Sequence, residues 1–380
     1  MSSSPPLMSS GMIAGIVRSV SILLLVVLIA LVMVAKRRGN SILEFQLSLV
    51  ATEFGHWFGV LAIVGAIGFL GSWGNPFIRF GGALAGGIIA FVLFGPLWQA
   101  VRLSEGLSIE RAFFPGMGPS VEGVVVERCT YGDDELEIVI CRPAETELSP
   151  ASKLPWVVSM HGGGWNGGRP DEFLAWDREL ASYGYVVLLP AYRLAPQHQW
   201  PAPLDDVRAA VDWGRTHAEE LGIDPEELTL FGRSAGGQIA AAAAMGVPEL
   251  RAKRCVAFYA PHDLFFARKY AKEDDVLDSL KLLRDYLGGD PEENEVAYLS
   301  GSAIKQVSAE SPPMLMIHGT PDTLVWVEQS RRMAARMSEV GATFEFYELP
   351  WAAHACDYFL WTPGGQVMMN KTLEFLAQKR

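Results

Sequence analysis

Ser234 stands in Gly232-Arg233-Ser234-Ala235-Gly236, a G-x-S-x-G string between the apolar run 228–231 (LTLF) and an alanine-rich stretch beginning at Ala235. At a strand-to-helix junction such a string closes so tight a turn that the serine's neighbours must be small, and it lifts the hydroxyl above the sheet. A serine hydroxyl is a weak nucleophile and needs a base that a third group orients. Asp322 follows the apolar run 313–317 (PMLMI), and His354 follows the next β-rich run, in AAHACDYF. Ser, Asp, His in that chain order suits nucleophile, orienting acid and base, each at the end of a strand.

His161, Gly162, Gly163, Gly164 and Trp165 follow a further strand-like run. A glycine run there lets backbone N–H groups turn toward a developing oxyanion, and each such donor is worth about 3 to 4 kcal/mol in the transition state. The N–H groups of Gly162 and Gly163, joined by that of Ala235, are the expected oxyanion hole. Other residues compete for these roles. His318 sits at a strand end and is expected to fix the turn before Asp322. Asp263 is a reserve acid, one crossover early. Asp357 reads as a surface or helix-start residue, and Glu348 lies inside a strand. Trp165 and Trp200 are candidates for the pocket wall, against plain packing.

These residues need a sheet to hold them. From about residue 120, short β-rich runs alternate with helical stretches, the pattern of an α/β domain with a mostly parallel sheet. Strands are expected over 124–128, 137–141, 156–160, 185–190, 228–231, 254–259, 314–317 and 343–348. Helices are expected over 172–183, 204–221, 235–245, 326–340 and 365–378. Several strand runs are continuously apolar, as in strands covered on both faces. Residues 263–303 exceed an ordinary connection and fit a lid or a peripheral helix pair.

Half of the chain's 380 residues are hydrophobic, yet nearly all charge lies after Arg102, so the first hundred residues face a different solvent. Residues 19–35 carry no charge and are long enough to span a bilayer. Lys36, Arg37 and Arg38 follow directly, which is a stop-transfer pattern and not a signal-peptide cleavage site. Residues 56–73 and 80–98 form two more uncharged runs around a polar break, a helical hairpin. Residues 41–55 contain Glu44 and Glu53 and read as an interfacial helix or connector. Three organisational parts follow: a polar tail 1–18, a membrane region 19–103 and a soluble domain 104–380. The Lys36 to Arg38 cluster places itself in the cytoplasm, and two further crossings return residues 104–380 to that side. Gly55 with Gly59, and Gly82 with Gly86, are small-x-x-x-small steps that could pack within the chain or join two copies into a homo-oligomer. No Asp, Glu, Lys or Arg interrupts the three runs as an ion path would, so anchoring is the expected role. An anchor that only delivers lipid-borne substrates implies that a chain beginning near Glu105 matches the whole protein on soluble esters.

The net charge of −12 gives no phosphate-binding footprint and argues against a nucleic-acid partner. Cys129, Cys141, Cys255 and Cys356 show neither a C-x-x-C pair nor metal-ligand spacing, so no metal is expected and buried thiols are.

HGGGW at 161–165, YRLAP at 192–196 with WPAPLDD after it, GRSAGG at 232–237, HGTPDTLV at 318–325 and His354 together resemble the hormone-sensitive-lipase-like carboxylesterases and the bacterial feruloyl-esterase-like (BD-FAE) group. The resemblance runs from about residue 120 to the end. It implies the α/β-hydrolase fold, Ser234, Asp322 and His354 as the triad, Gly162, Gly163 and Ala235 as the oxyanion hole, and hydrolysis of small-molecule or lipid esters without a cofactor. Arg233 departs from the acidic residue that often stands there, and Cys356 with Asp357 departs from the usual small residue and Phe. Acyl transfer, thioester cleavage or peptide cleavage would use the same triad, and a non-catalytic binding role would not need it.

Overall fold

The computed structural model describes residues 8–35, 41–117, 121–144 and 153–378. Lys36, Arg37 and Arg38, on which the expected orientation rests, lie outside the described residues. Four helices open the chain: α1 (Ser10–Ala35), α2 (Ile42–Glu53), α3 (Gly55–Ser72) and α4 (Pro76–Leu103). Of these α1, α3 and α4 are long and apolar enough to cross a membrane. Much of their apolar surface is bare, with Leu23 65%, Phe91 82% and Phe77 88% exposed. Arg18 lies inside α1 and not at its flank, and its Nε donates to the Ser72 carbonyl at 2.6 Å.

Both small-x-x-x-small steps lie on the α3–α4 seam. A Cβ at Gly55 would press on the Leu93 carbonyl, at Gly59 on the Phe94 ring, at Gly82 on the Phe69 ring and at Gly86 on Ala66. Contacts within the chain therefore occupy these four glycines. A short helix α5 (Ile109–Phe113) follows, and His56 Nε2 lies 3.0 Å from its Ala112 carbonyl.

The remainder is built on strands β1 (Val124–Tyr131), β2 (Leu136–Pro143), β3 (Leu154–Met160), β4 (Val186–Pro190), β5 (Ile223–Arg233), β6 (Arg254–Phe258), β7 (Met314–Gly319) and β8 (Phe344–Leu349), in the order β1-β2-β4-β3-β5-β6-β7-β8. Pairing is antiparallel between β1 and β2 and between β2 and β4, and parallel from β4 to β8. All eight strands fall on the expected runs. Only β5 is much longer than expected, because an irregularity in its pairing with β3 takes in residues from Ile223 onward.

Helices α6 (Leu174–Ser182), α7 (Ala202–Thr216), α8 (Ala218–Leu221), α9 (Ala235–Gly246), α10 (Leu264–Tyr270), α11 (Ser279–Leu287), α12 (Glu295–Gly301), α13 (Ala303–Gln306), α14 (Glu328–Val340) and α15 (Pro363–Leu376) cover the sheet and its rim. Alternate residues of a strand point to opposite faces, and the core divides accordingly. Trp156, Val158 and Met160 meet the alanine run of α9, whereas Val157, Phe231 and Ile317 meet Trp176 of α6 and Val367 to Met369 of α15. Ala100 at the end of α4 is fully buried in this second core. The apolar helices are thus continuous with the sheet domain at their C-terminal end.

The register decides where function can sit. Met160 of β3 pairs with Gly232 of β5, Arg233 with Phe258 of β6, and Phe258 with Ile317 of β7. The C-terminal ends of four parallel strands therefore stand side by side, where ligands bind in open α/β sheets.

Candidate active site

Ser234 is the hinge between β5 and α9. Its backbone angles of φ 54° and ψ −120° are costly for a residue with a Cβ. Neighbours hold it there, since its N–H donates to the Phe258 carbonyl at 2.9 Å and its carbonyl accepts from Gln238 N–H at 3.0 Å. The side chain lines a cavity of about 430 Å³.

Asp322 is buried in the loop after β7. Its Oδ1 accepts N–H bonds from Leu324 and Val325, both at 2.9 Å, and its Oδ2 lies 2.7 Å from Nδ1 of His354. Burial alone would raise its pKa, but His354 and His318 outweigh it and hold the carboxyl well below the usual carboxylate range. His354 is carried by the loop after β8, with its ring 4.4 Å from that of Tyr259. Phe258 and Tyr259 thus join the two ends of the site: one carbonyl fixes Ser234, and the next ring backs His354.

His318 behaves as a turn-fixing residue. Its Nδ1 meets Ser330 Oγ and its Nε2 the Val325 carbonyl, both at 2.8 Å, inside the loop that presents Asp322. Asp263 caps α10 by accepting from Phe266 N–H and pairs with Arg332 at 2.8 Å, so its carboxylate is engaged away from His354.

Gly162 faces the elbow, and a Cβ placed on it would touch Ser234 Cβ at 3.4 Å. Gly163 has φ +113°, and a Cβ there would collide with the Gly167 carbonyl, so no other residue closes this loop. Trp165 both lines the cavity and stacks on Tyr286 of α11 at 4.3 Å. Trp200 is packing, bonded to Ser300 Oγ at 2.9 Å. Phe266 and Tyr270 of α10, Leu277, and Leu282 of α11 wall the cavity, so the first part of residues 263–303, through Leu283, lines the site.

Sequence reasoning missed three polar groups. Gln238, fully buried on α9, accepts from Trp165 Nε1 and Tyr286 Oη, both at 2.9 Å, and donates to the Gly301 carbonyl at 2.7 Å. It ties the glycine loop to α11 and α12. Arg233 and Asp357 form a buried ion pair beneath the elbow, Nε to Oδ2 2.6 Å, and Tyr259 Oη donates to Asp357 Oδ1 at 2.5 Å. Asp357 is therefore no surface residue. Asp177 approaches the other side of Arg233 at 3.6 Å, and Phe173, Trp176 and Phe231 stack on the guanidinium. Burial pushes the Asp177 carboxyl up to about 6, against the pull of Arg233. The third group is Glu53, taken up below. A single departure in the string, Arg for an acidic residue, is the signal that a buried counter-charge had to exist.

Cys141, Cys255 and Cys356 are buried thiols, but Cys129 is exposed. Among the described residues no group of three or more His, Cys, Asp and Glu is placed to hold a metal ion.

The family model BD-FAE matches residues 145–337, just over half the chain. The chain belongs to the BD-FAE family. The matched span contains the glycine loop, Ser234 and Asp322, and it ends before His354. Two Mycobacterium tuberculosis proteins, Esterase LipC and Esterase LipQ, are each 30% identical, over 247 and 242 residues, about 60% of this chain in both cases. The chain spans only 59% and 56% of those relatives' own lengths. Among solved structures, a bacterial heroin esterase aligns with TM-score 0.59 at 21% identity over 74% of this chain and 95% of its own, which shows the α/β-hydrolase fold. A thermophilic esterase from Thermogutta terrifontis aligns with TM-score 0.52 at 28% identity, over 68% of this chain and 91% of its own.

Proposed function

We propose that this BD-FAE chain is a serine hydrolase of carboxylic esters, held to a membrane by α1, α3 and α4. The observation that carries the reading is the 2.7 Å bond between His354 Nδ1 and Asp322 Oδ2, at the strand ends beside a serine in a strained elbow. Asp322 fixes the tautomer that leaves Nε2 free to accept a proton. His354 takes the Ser234 proton as Oγ attacks the ester carbonyl carbon. The carbonyl oxygen becomes an oxyanion, which the N–H groups of Gly162, Gly163 and Ala235 stabilise. His354 returns the proton to the leaving alcohol as the ester C–O bond breaks, giving an acyl-enzyme. Water, deprotonated by the same imidazole, then releases the acid and restores Ser234.

The cavity's wall of Phe, Tyr, Leu and Trp favours an apolar acyl or alcohol group. The bare apolar surface of α1, α3 and α4 favours a bilayer around them. The Lys36 to Arg38 cluster orients the hydrolase domain toward the cytoplasm.

The test is release of p-nitrophenol from short and medium acyl esters, with fluorophosphonate labelling of the purified chain. Ser234→Ala abolishes both while the far-ultraviolet circular dichroism stays unchanged. A folded wild type that neither turns over nor labels overturns the reading.

A further inference from the structure

Glu53 is the last residue of α2, between two apolar helices, and it is fully buried. Its Oε2 accepts the N–H of Gly364 at 2.8 Å, from the start of α15. The approach is close: a Cβ at Gly364 would lie 2.8 Å from Glu53 Oε1 and 3.0 Å from Cys356 Cβ. The next residue, Phe54, sets its ring edge-on against Phe359 at 5.1 Å. Gly364 closes the loop that begins after β8 and carries His354, Cys356 and Asp357. That loop is therefore pinned at three points, by Asp322 on His354, by Arg233 and Tyr259 on Asp357, and by Glu53 on Gly364.

A carboxyl is an expensive way to fill space in this setting. Burial, with Asp357 adding to it, pushes the carboxyl's pKa up to about 7 against the opposing Thr362, Gly364 and Trp351 contacts. An apolar side chain would pack without that cost, so the acceptor for Gly364 is what the site retains.

We propose that Glu53 is a positioning residue of the hydrolytic site, contributed by the membrane-side segment and acting on His354 through the loop it pins at Gly364. The proposal rests on the ester-hydrolase reading above. Losing the acceptor frees one end of the loop, and a misplacement of the base on the order of 1 Å costs about 100-fold in rate.

The experiment measures turnover per active site in the full-length, detergent-solubilised chain, with sites counted by exhaustive phosphonate labelling of Ser234. Glu53→Ala lowers per-site kcat by about tenfold or more with KM within about twofold, the split expected when base positioning and not ground-state binding is lost. Glu53→Gln, which keeps an acceptor for Gly364, restores most of that rate. Asn370→Ala breaks another tie between the same two regions, Asn370 Nδ2 to Ser104 Oγ at 2.9 Å, away from the His354 loop, and keeps wild-type kcat. A merely structural Glu53 would reduce the number of sites that label and leave per-site kcat intact, and that result overturns the proposal while the hydrolase reading stands. A wild type without turnover or labelling removes the reading itself.

Discussion

Arg233 shows how one residue reorganises its surroundings. Burial works against its charge, and Asp357 and Asp177 outweigh that cost. Arg233→Met leaves two buried carboxyls without a cation, which costs about 3 to 5 kcal/mol. The sign of the pH dependence follows from the direction of the shift. Asp177 already holds its proton to about 6 in the folded chain, above its ordinary range, so the native state binds more protons than the unfolded state and stability falls as pH rises through that window. Removing Arg233 carries the window higher. Thermal melts are therefore expected to show a wild-type-to-variant gap that narrows at pH 5 and widens at pH 8. An equal gap at both would mean that lost packing against the four aromatic rings, and not unpaired charge, is the cause.

At the scale of elements, the region α10 to α13 is the least legible part. Its length suggested a lid or a peripheral pair, and only tertiary contact decides: α10 and α11 wall the cavity, and Gln238 bonds to both α11 and α12. Gln238→Leu strips partners from Trp165 Nε1, Tyr286 Oη and the Gly301 carbonyl at once, at about 1 to 3 kcal/mol for each buried group left unpaired. Hydrogen exchange over 279–301 is expected to speed up more than over the β3–β5–β6 strands, and kcat/KM to fall because the glycine loop loses its backing. Uniform acceleration across the chain would instead indicate global destabilisation. The inner strands β3, β4, β6 and β7, by contrast, were readable because both of their faces are covered and their apolar runs are continuous.

For the whole molecule, the N-terminal helices share packing with the sheet domain. Ala100 sits in the core beside α15, Leu49 and Leu103 pack against it, and Glu53 accepts from Gly364 N–H at 2.8 Å. An anchor that shares a core with the domain it holds should not be removable without consequence. A chain beginning at Glu105 loses Glu53, Leu49, Ala100 and Leu103 together, and it is expected to melt at lower temperature and to hydrolyse soluble p-nitrophenyl esters more slowly than the full-length chain in detergent. Matching rates and melting points would restore the view of a simple anchor.

The sequence by itself determined the strand ladder, the elbow, the glycine loop and the order Ser234, Asp322, His354, because each is a local pattern: a period, a tight turn, a strand followed by a polar loop. It also marked three helices long and apolar enough to cross a membrane, since length and hydropathy need no partner to be read. What the tertiary structure alone decided are pairings across large sequence distances. Arg233 meets Asp357 and Glu53 meets Gly364 only because parallel register and helix docking bring their backbones together. Charges in an apolar stretch signal that a partner is required, but which partner depends on where the fold leaves room to exclude water.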